Sequence, residues 1–382
     1  MELSRSIMQT GSGSSSALKG DHIRSVIKIW IRNETKINEK RTPLSPSDCK
    51  ILINNYNFII NVEKSMHRIY INDEYNNAGC NIVDSNSWIN APLDYYILGI
   101  KELDLDNVLA LKHKHIYFGH CYKNQVGWKE LLQKFINGNG LLLDLEYLTD
   151  DNNKRLTAFG HYAGFAGAFI GFTIWCNRKM NTPLINYDKS FNKNEMIELS
   201  MECVEFIKKQ SISFIQPIPS IIIIGAYGRC GKGITEFFEN IGIDTVKIGK
   251  YDKPFDKKCV LNYDILFNAI YLKNQIDPFI TKNDVDKNKN LSLIVDISCD
   301  IGNQFNPLPL CEINTTFQNP THIISNNPLL EIVTIDNLPT LMPRESSDDF
   351  SKQLMLQLIK LNDDDSYWKN TKKIFYEKIK LI

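Results

Sequence analysis

The chain has 382 residues, 43% of them hydrophobic, enough to bury a sizeable core in two domains of ordinary size. Lysine plus arginine equals aspartate plus glutamate at 44 each, so no bulk positive field points to nucleic acid or an anionic membrane, although small anionic ligands need only a few local cations. Nine cysteines at long, irregular spacings, with no CxxC or CxxH, argue against a disulfide framework or structural zinc and fit reduced thiols in an intracellular compartment.

Residues 1–22 include the Gly/Ser-rich run "SRSIMQTGSGSSSALKG", which lacks a signal peptide's apolar core and is set aside as a tail or tag. Alternation begins after it. "VIKIWIR" predicts a strand, "SPSDCKILINN" a Ser-capped helix, "FIINVEKS" a strand and "INDEYNNAGC" a short helix ending near glycine. "YYILGIKEL" and "KHIYFGH" predict two more strands, "GWKELLQKFING" a helix and "GLLLDLEYL" a further strand. Such alternation indicates a parallel sheet covered on both faces. "AFGHYAGFAGAFIGFTIW" (158–175) has no formal charge and small residues four apart, a pattern that suits paired membrane helices. As one isolated span between polar regions, it is read instead as a buried, closely packed helix.

A second set follows residue 190. "MIELSMECVEFIKKQ" predicts a helix, "SIIIIG" a strand, "GKGITEFFENIG" a helix and "DTVKIGKYD" a strand. "DILFNAIYL" and "LSLIVDIS" predict buried strands joined by the polar loop "TKNDVDKNKN". "DFSKQLMLQLIKL" and "WKNTKKIFYEKIKLI" predict closing helices that return to the first half. The expected fold class is α/β, with two Rossmann-like doubly wound domains and an active-site cleft between them. Residues 23–158 plus 341–382 would form the substrate side and 159–340 the NAD-binding side.

"SIIIIGAYGRCGKGITEFF" runs from a strand through glycines into a helix, which presents backbone N–H groups and a positive helix end to a phosphate. The glycines fall at 225, 228, 231 and 233, GxxGxxG rather than GxGxxG, and alone carry little weight. Asp252 follows Gly231 by 21 residues, about where a carboxylate accepts from an adenosine ribose, and favours NAD over NADP. A P-loop would need Ser or Thr after Lys232, where Gly233 stands.

Lys101 follows the apolar run "YYILGI" and His120 follows "KHIYFG", so on neighbouring parallel strands both would emerge at carboxyl ends. Such a pair could move protons in a cleft, but by spacing alone a solvated lysine and a hydrogen-bonded histidine is the commoner reading. Cys121 lacks a base held against it, and no second cluster completes a zinc site, so no metal is expected.

Taken in order, "RNETKINEKRTPLSPSD", "GIKEL", "FGHCYKNQVGW", "DLEYL", "AFGHYAGFAGA", "IIIGAYGRCGKG", "NAIYL", "VDIS" and "IDNLPTLMPRESS" resemble fungal-type saccharopine dehydrogenase, an NAD-dependent, lysine-forming family; alanine dehydrogenase is similar more distantly. The likeness spans residues 28 to about 350. It implies oxidation of saccharopine at the glutamate-derived Cα, followed by imine hydrolysis to lysine and 2-oxoglutarate, the last step of the α-aminoadipate pathway. By this resemblance Lys101 is the base toward the secondary amine and His120 the acid–base of hydrolysis, held and tuned by Glu102 and Glu146. Arg41, Gln125, Arg155, Phe159, Asp296, Ile297 and Ser298 would meet the substrate. Lys154, Gly228, Arg229, Asp252, Tyr271, Val295, Ile335, Asp336, Asn337 and Leu338 would meet NAD.

Departures from the family pattern are Lys154, where the first of two arginines is usual, and His161, where an aromatic is usual. Cys230 is a candidate redox-sensitive thiol, though Ala269 leaves it no local disulfide partner. Rival readings are an alanine-type dehydrogenase and an NAD-binding protein without turnover. The expected setting is a cytoplasmic enzyme, compatible with a monomer, with a small-molecule substrate and neither nucleic acid nor membrane as partner; the final "KLI" is a poor peroxisomal tail.

Overall fold

Six short apolar runs in the first half build one parallel sheet: β1 (Ile27–Ile31), β2 (Phe58–Glu63), β3 (Asn81–Val83), β4 (Tyr96–Leu98), β5 (Lys114–Tyr117) and β6 (Leu141–Asp144), in the order β3-β2-β1-β4-β5-β6. The computed structural model describes residues 26–382 except 37, 107, 211–217, 250–256, 271, 273, 287–289, 299–300 and 302–304. α1 (Pro46–Tyr56), α2 (Asn72–Asn77) and α3 (Trp128–Gly138) belong to this half. α1 starts where expected because the Ser45 side chain accepts from the Asp48 N–H, with Pro46 in the first turn; Asn57 in the left-handed region ends it. The register Leu98↔Ile116 sets β4 directly beside β5, so Lys101 and His120 leave the sheet at adjacent carboxyl ends.

The second half contains α4 (Gly160–Met180), α5 (Lys193–Gln210), β7 (Ile221–Ile224), α6 (Arg229–Asn240), β8 (Val246–Ile248), β9 (Ile265–Asn268), α7 (Lys282–Val285), β10 (Leu293–Asp296), β11 (His322–Asn326) and β12 (Leu329–Val333). Its sheet runs β11-β12-β10-β9-β7-β8, parallel except where β11 pairs antiparallel with β12. Strand order reverses between β7 and β9, the place where such sheets accept ligands.

α8 (Pro343–Leu358) and α9 (Trp368–Ile379) return to the first half as expected, α8 against α1 and α9 against β6 and α3. Phe350, Leu354, Leu358 and Trp368 join the core of the first sheet. On this basis we propose the two domains with crossings near residues 159 and 341.

Four elements depart from expectation. β3 and the β11–β12 hairpin were not foreseen, because "NIV" is too short to alternate visibly and β11 is largely exposed. The loop expected at "TKNDVDKNKN" contains α7, started by a reciprocal cap in which the Thr281 N–H donates to Asp284 Oδ2 at 2.9 Å.

The uncharged span is α4, buried along most of its length rather than exposed to lipid, and no described helix is long and apolar enough to cross a membrane. Its glycines permit backbone contact with α6. A Cβ on Gly164 would stand 1.9 Å from the Cys230 carbonyl oxygen, and one on Gly233 1.9 Å from that of His161. Further along, Gly171 leaves room for Val295. Because Gly233 meets backbone rather than a movable side-chain tip, Gly233→Ala is expected to destabilise the protein by roughly 1–3 kcal/mol, read by urea denaturation.

Candidate active site

Lys101 stands three residues beyond the end of β4, where the peptide groups have left the ladder. Two buried charges take over. Glu34 accepts the Ile100 N–H at 2.6 Å and the Lys101 N–H at 3.0 Å, while Arg32 donates to the Lys101 carbonyl and pairs with Glu34 at 3.2 Å. Gly99 is required here, since a Cβ would fall 2.3 Å from Arg32 Nε. The Lys101 Nζ donates to Asn337 Oδ1 at 2.6 Å, crossing from one half of the chain to the other. Burial lowers the lysine's pKa, and Arg41 and Lys36 lower it further against the opposing pull of Glu39 and Asp336.

His120 follows β5 with φ of +47°, in the left-handed region, next to a Gly119 whose Cβ would come within 2.7 Å of Leu142. Its ring stacks on Phe118 and its Nε2 lies 3.8 Å from Glu102 Oε1; Glu102 also faces Lys36 at 3.4 Å. Glu146 is gripped by Arg155 at 2.6 Å and Lys123 at 2.8 Å. Burial pushes the Glu146 carboxyl up, but Arg155 and Lys123, with His120 adding, hold it below its ordinary value. Both carboxylates foreseen as tuning groups thus serve the His120 side. The carboxylates that pull on Lys101 most are Glu39 and Asp336, and Glu39 was not foreseen.

Cys121 and Tyr122 are buried, and burial drives the Cys121 thiol far above its usual range, which removes it as a nucleophile.

These groups line a cleft of about 880 Å³. Lys101, Glu102, His120, Gln125, Glu146 and Arg155 come from the first half and its connection to α4, and Ile297, Ser298 and Asp336 from the second. A separate hollow of about 610 Å³ lies at the amino ends of β4–β6, beside Tyr96, Lys114 and Leu141, at the end of the sheet opposite these side chains.

The other expected substrate contacts are placed differently. Arg41 is buried, forked onto Glu39 at 2.8 and 2.6 Å and laid over the Phe159 ring at 4.2 Å, so it borders the cleft without lining it. Phe159 stacks on Phe350 at 4.2 Å. Asp296 is buried and accepts from Asn268 Nδ2 at 2.8 Å.

The turn after β7 fits a dinucleotide pyrophosphate. Gly225 takes φ of +84°, with a Cβ position 2.7 Å from the Ala269 carbonyl oxygen, and a Cβ on Gly231 would fall 2.2 Å from that of Gly225. Gly228 is the N-cap of α6 and, among the described residues, no side chain caps that helix end, which leaves backbone N–H groups for a phosphate. Arg229 donates to the Arg155 carbonyl at 2.8 Å, tying this turn to the substrate side. Asp252 and Tyr271 lie outside the described residues.

Three expected cofactor contacts have core side chains: Val295 and Leu338 pack against α4, and Ile335 joins the same cluster, so a ligand would meet their backbone. Asp336 and Asn337 turn toward Lys101. The Lys154 side chain is exposed on a turn closed by Asp150, outside the cleft lining. His161 pairs with Glu236 at 2.9 Å and fastens α4 to α6. Burial pushes the Cys230 thiol up to about 11, which disfavours the reactive thiolate.

Because Lys101 has a folded-state pKa below its unfolded value, its charged form costs stability at neutral pH, and that cost fades as pH rises from the folded pKa toward the unfolded one. Lys101→Met is therefore expected to unfold at an equal or higher temperature than the native chain at pH 7, an advantage that shrinks in thermal melts at alkaline pH.

Residues 30–166 match the family described as "Alanine dehydrogenase/PNT, N-terminal domain", and residues 232–378 match "Alanine dehydrogenase/PNT, C-terminal domain". The chain is 39% identical to a Schizosaccharomyces pombe protein over 91% of its own length and 97% of the relative's, and 39% identical to an Emericella nidulans protein over 92% and 97%. Each is named saccharopine dehydrogenase (NAD(+), L-lysine-forming). Among solved structures, an L-alanine dehydrogenase superposes with a TM-score of 0.65 at 13% identity, covering 92% of this chain and 94% of that one. A transhydrogenase from Sinorhizobium meliloti gives 0.60 at 16% identity, covering 87% and 94%, and both likenesses establish the fold alone.

Proposed function

We infer the reaction from family membership: the chain belongs to the saccharopine dehydrogenases (NAD(+), L-lysine-forming), and it is an NAD-dependent oxidoreductase that converts saccharopine to L-lysine and 2-oxoglutarate. The observation that carries the assignment of roles is the meeting of Lys101 and His120 in one cleft roofed by the second half of the chain. NAD, when bound, supplies the hydride acceptor.

Lys101 takes the proton from the substrate's secondary amine. A lysine held below its ordinary pKa by burial and by Arg41 is a neutral base for more of its time, and the hydrogen bond to Asn337 aims its Nζ. His120 shuttles protons as water adds to the imine and the carbinolamine collapses, a task that needs both directions near neutral pH. Glu102 faces its Nε2 from 3.8 Å. Glu146 spaces Lys123 and Arg155 so that their cationic heads stand at the cleft. Saccharopine's carboxylates are met by Arg155, with Gln125 and Ser298 as polar contacts. Arg41 joins through the Nη1 side that its fork with Glu39 leaves unused.

One chain supplies both walls of the cleft, which supports a monomer as the working unit. Cys49, Cys80, Cys121, Cys176, Cys203, Cys230 and Cys311 are free thiols, which supports a reducing compartment such as the cytoplasm.

The test is NADH formation followed by absorbance, with saccharopine and then with alanine. Saccharopine turnover is expected from the native chain, and the double variant Lys101→Met, His120→Gln should fall by about 10²-fold or more, the scale of acid–base catalysis. Turnover with alanine alone would move the assignment to an alanine-type dehydrogenase, and NAD binding without turnover of either would leave a binding protein.

A further inference from the structure

Behind the cleft wall, β6 ends in a carboxyl group that the reaction as described does not use. Asp144 is completely buried. Its Oδ1 accepts the Glu146 N–H at 2.9 Å and so caps the short turn, Leu145–Tyr147, that carries Glu146. Its Oδ2 stands 3.2 Å from the position a Cβ on Gly119 would occupy, beside the residue that sets up His120, and the Gly119 N–H favours its charged form. One carboxyl group therefore sits between the two backbone segments that present the imidazole and its neighbouring glutamate.

Those segments need such an anchor. His120 holds a left-handed backbone that a residue with a Cβ adopts at a cost, and conformations of this kind persist only where surroundings impose them. Glu146 lies beyond the end of the β6 ladder and carries the ion pairs to Arg155 and Lys123. Because Asp144 does not reach the cleft, it acts through these groups rather than on substrate.

We propose that Asp144 is a positioning residue of the hydrolytic half-reaction, fixing the Gly119–His120 turn and Glu146 in one geometry from beneath the cleft. The proposal rests on His120 being the acid–base group, as assigned above.

The carboxyl group is also electrically coupled to that wall. Burial pushes Asp144 up to about 7; the Glu146 N–H opposes this, the Glu146 charge adds to it, and the Gly119 N–H and Arg155 oppose it. Cys121, Tyr117 and Tyr122 face it from β5 and its loop, Tyr147 from the turn, and Lys378 of α9 lies close by, donating to the Tyr122 carbonyl at 2.8 Å.

The experiment compares Asp144→Ala with Asp144→Asn in the full chain, measuring kcat, saccharopine KM and NADH affinity by fluorescence. Asparagine keeps an acceptor for the Glu146 N–H but carries no charge. Alanine should lower kcat by about 10²-fold, as a misplaced acid–base group does, with NADH affinity unchanged. Asparagine should restore most of kcat, with saccharopine KM and NADH affinity near native. A folded alanine variant with native kcat would overturn the proposal. So would an asparagine variant whose kcat falls about 10²-fold, and that measurement decides the matter if alanine does not fold. Native turnover by His120→Gln would instead remove the catalytic assignment beneath it.

Discussion

The site depends on how the chain leaves β4. A strand can end in solvent at little cost, but here three peptide groups beyond Leu98 must be buried and still point Lys101 into the cleft. Unpaired buried peptide groups each cost about 1–3 kcal/mol, and Glu34 with Arg32 removes that cost by taking two N–H groups and one carbonyl. A buried ion pair is weak evidence of stability by itself, because desolvation offsets attraction. Its value here lies in satisfying an irregular backbone in only one arrangement. Burial raises the Glu34 carboxyl, which Arg32 counters, so the two charges need each other.

From that fixed point the electrostatics separate into two stations. Around Lys101, burial and the nearby cations Arg41 and Lys36 disfavour the ammonium, while Glu39 and Asp336 limit the shift. Around His120, the carboxylates of Glu102 and Glu146 are both held in their charged forms, each partly by the histidine. The proposed base and the proposed proton shuttle thus share a cleft but have different surroundings, a mixed set of charges around the buried lysine and two carboxylates beside the more open imidazole.

Much of this was legible along the chain, for reasons that also explain what was not. α1 announced itself by Ser45, Pro46 and its apolar spacing, and β7 by four consecutive isoleucines that are all buried. Lys101 and His120 were visible as polar residues just past apolar runs. Glu34, Glu39 and Asp144 were not, since a buried charge that serves backbone groups reads like any loop charge until its partners are known. "RNETKINEKR" did carry a signal, a dense charge cluster immediately after a strand, but nothing in it separates the residues that turn inward from those that meet solvent. The glycines of α4 were conspicuous and ambiguous, because close helix packing asks for the same small residues in lipid and in a soluble core.

That helix contact also joins the two halves of the chemistry. α4 starts just after Phe159, whose ring supports Arg41, and its backbone presses on the first turn of α6, which follows the glycine loop. Arg229, the first residue of α6, returns a hydrogen bond to the Arg155 carbonyl. The dinucleotide turn, the substrate-side arginines and the α4–α6 contact are thus consecutive links in one packed chain of atoms. With Cβ positions already within 2 Å of opposing carbonyl oxygens, α4 has no slack to slide on α6. Arg155 in turn grips Glu146 at 2.6 Å, so the glycine turn and the Glu146 side of the cleft meet at one arginine, through its carbonyl on one side and its guanidinium on the other.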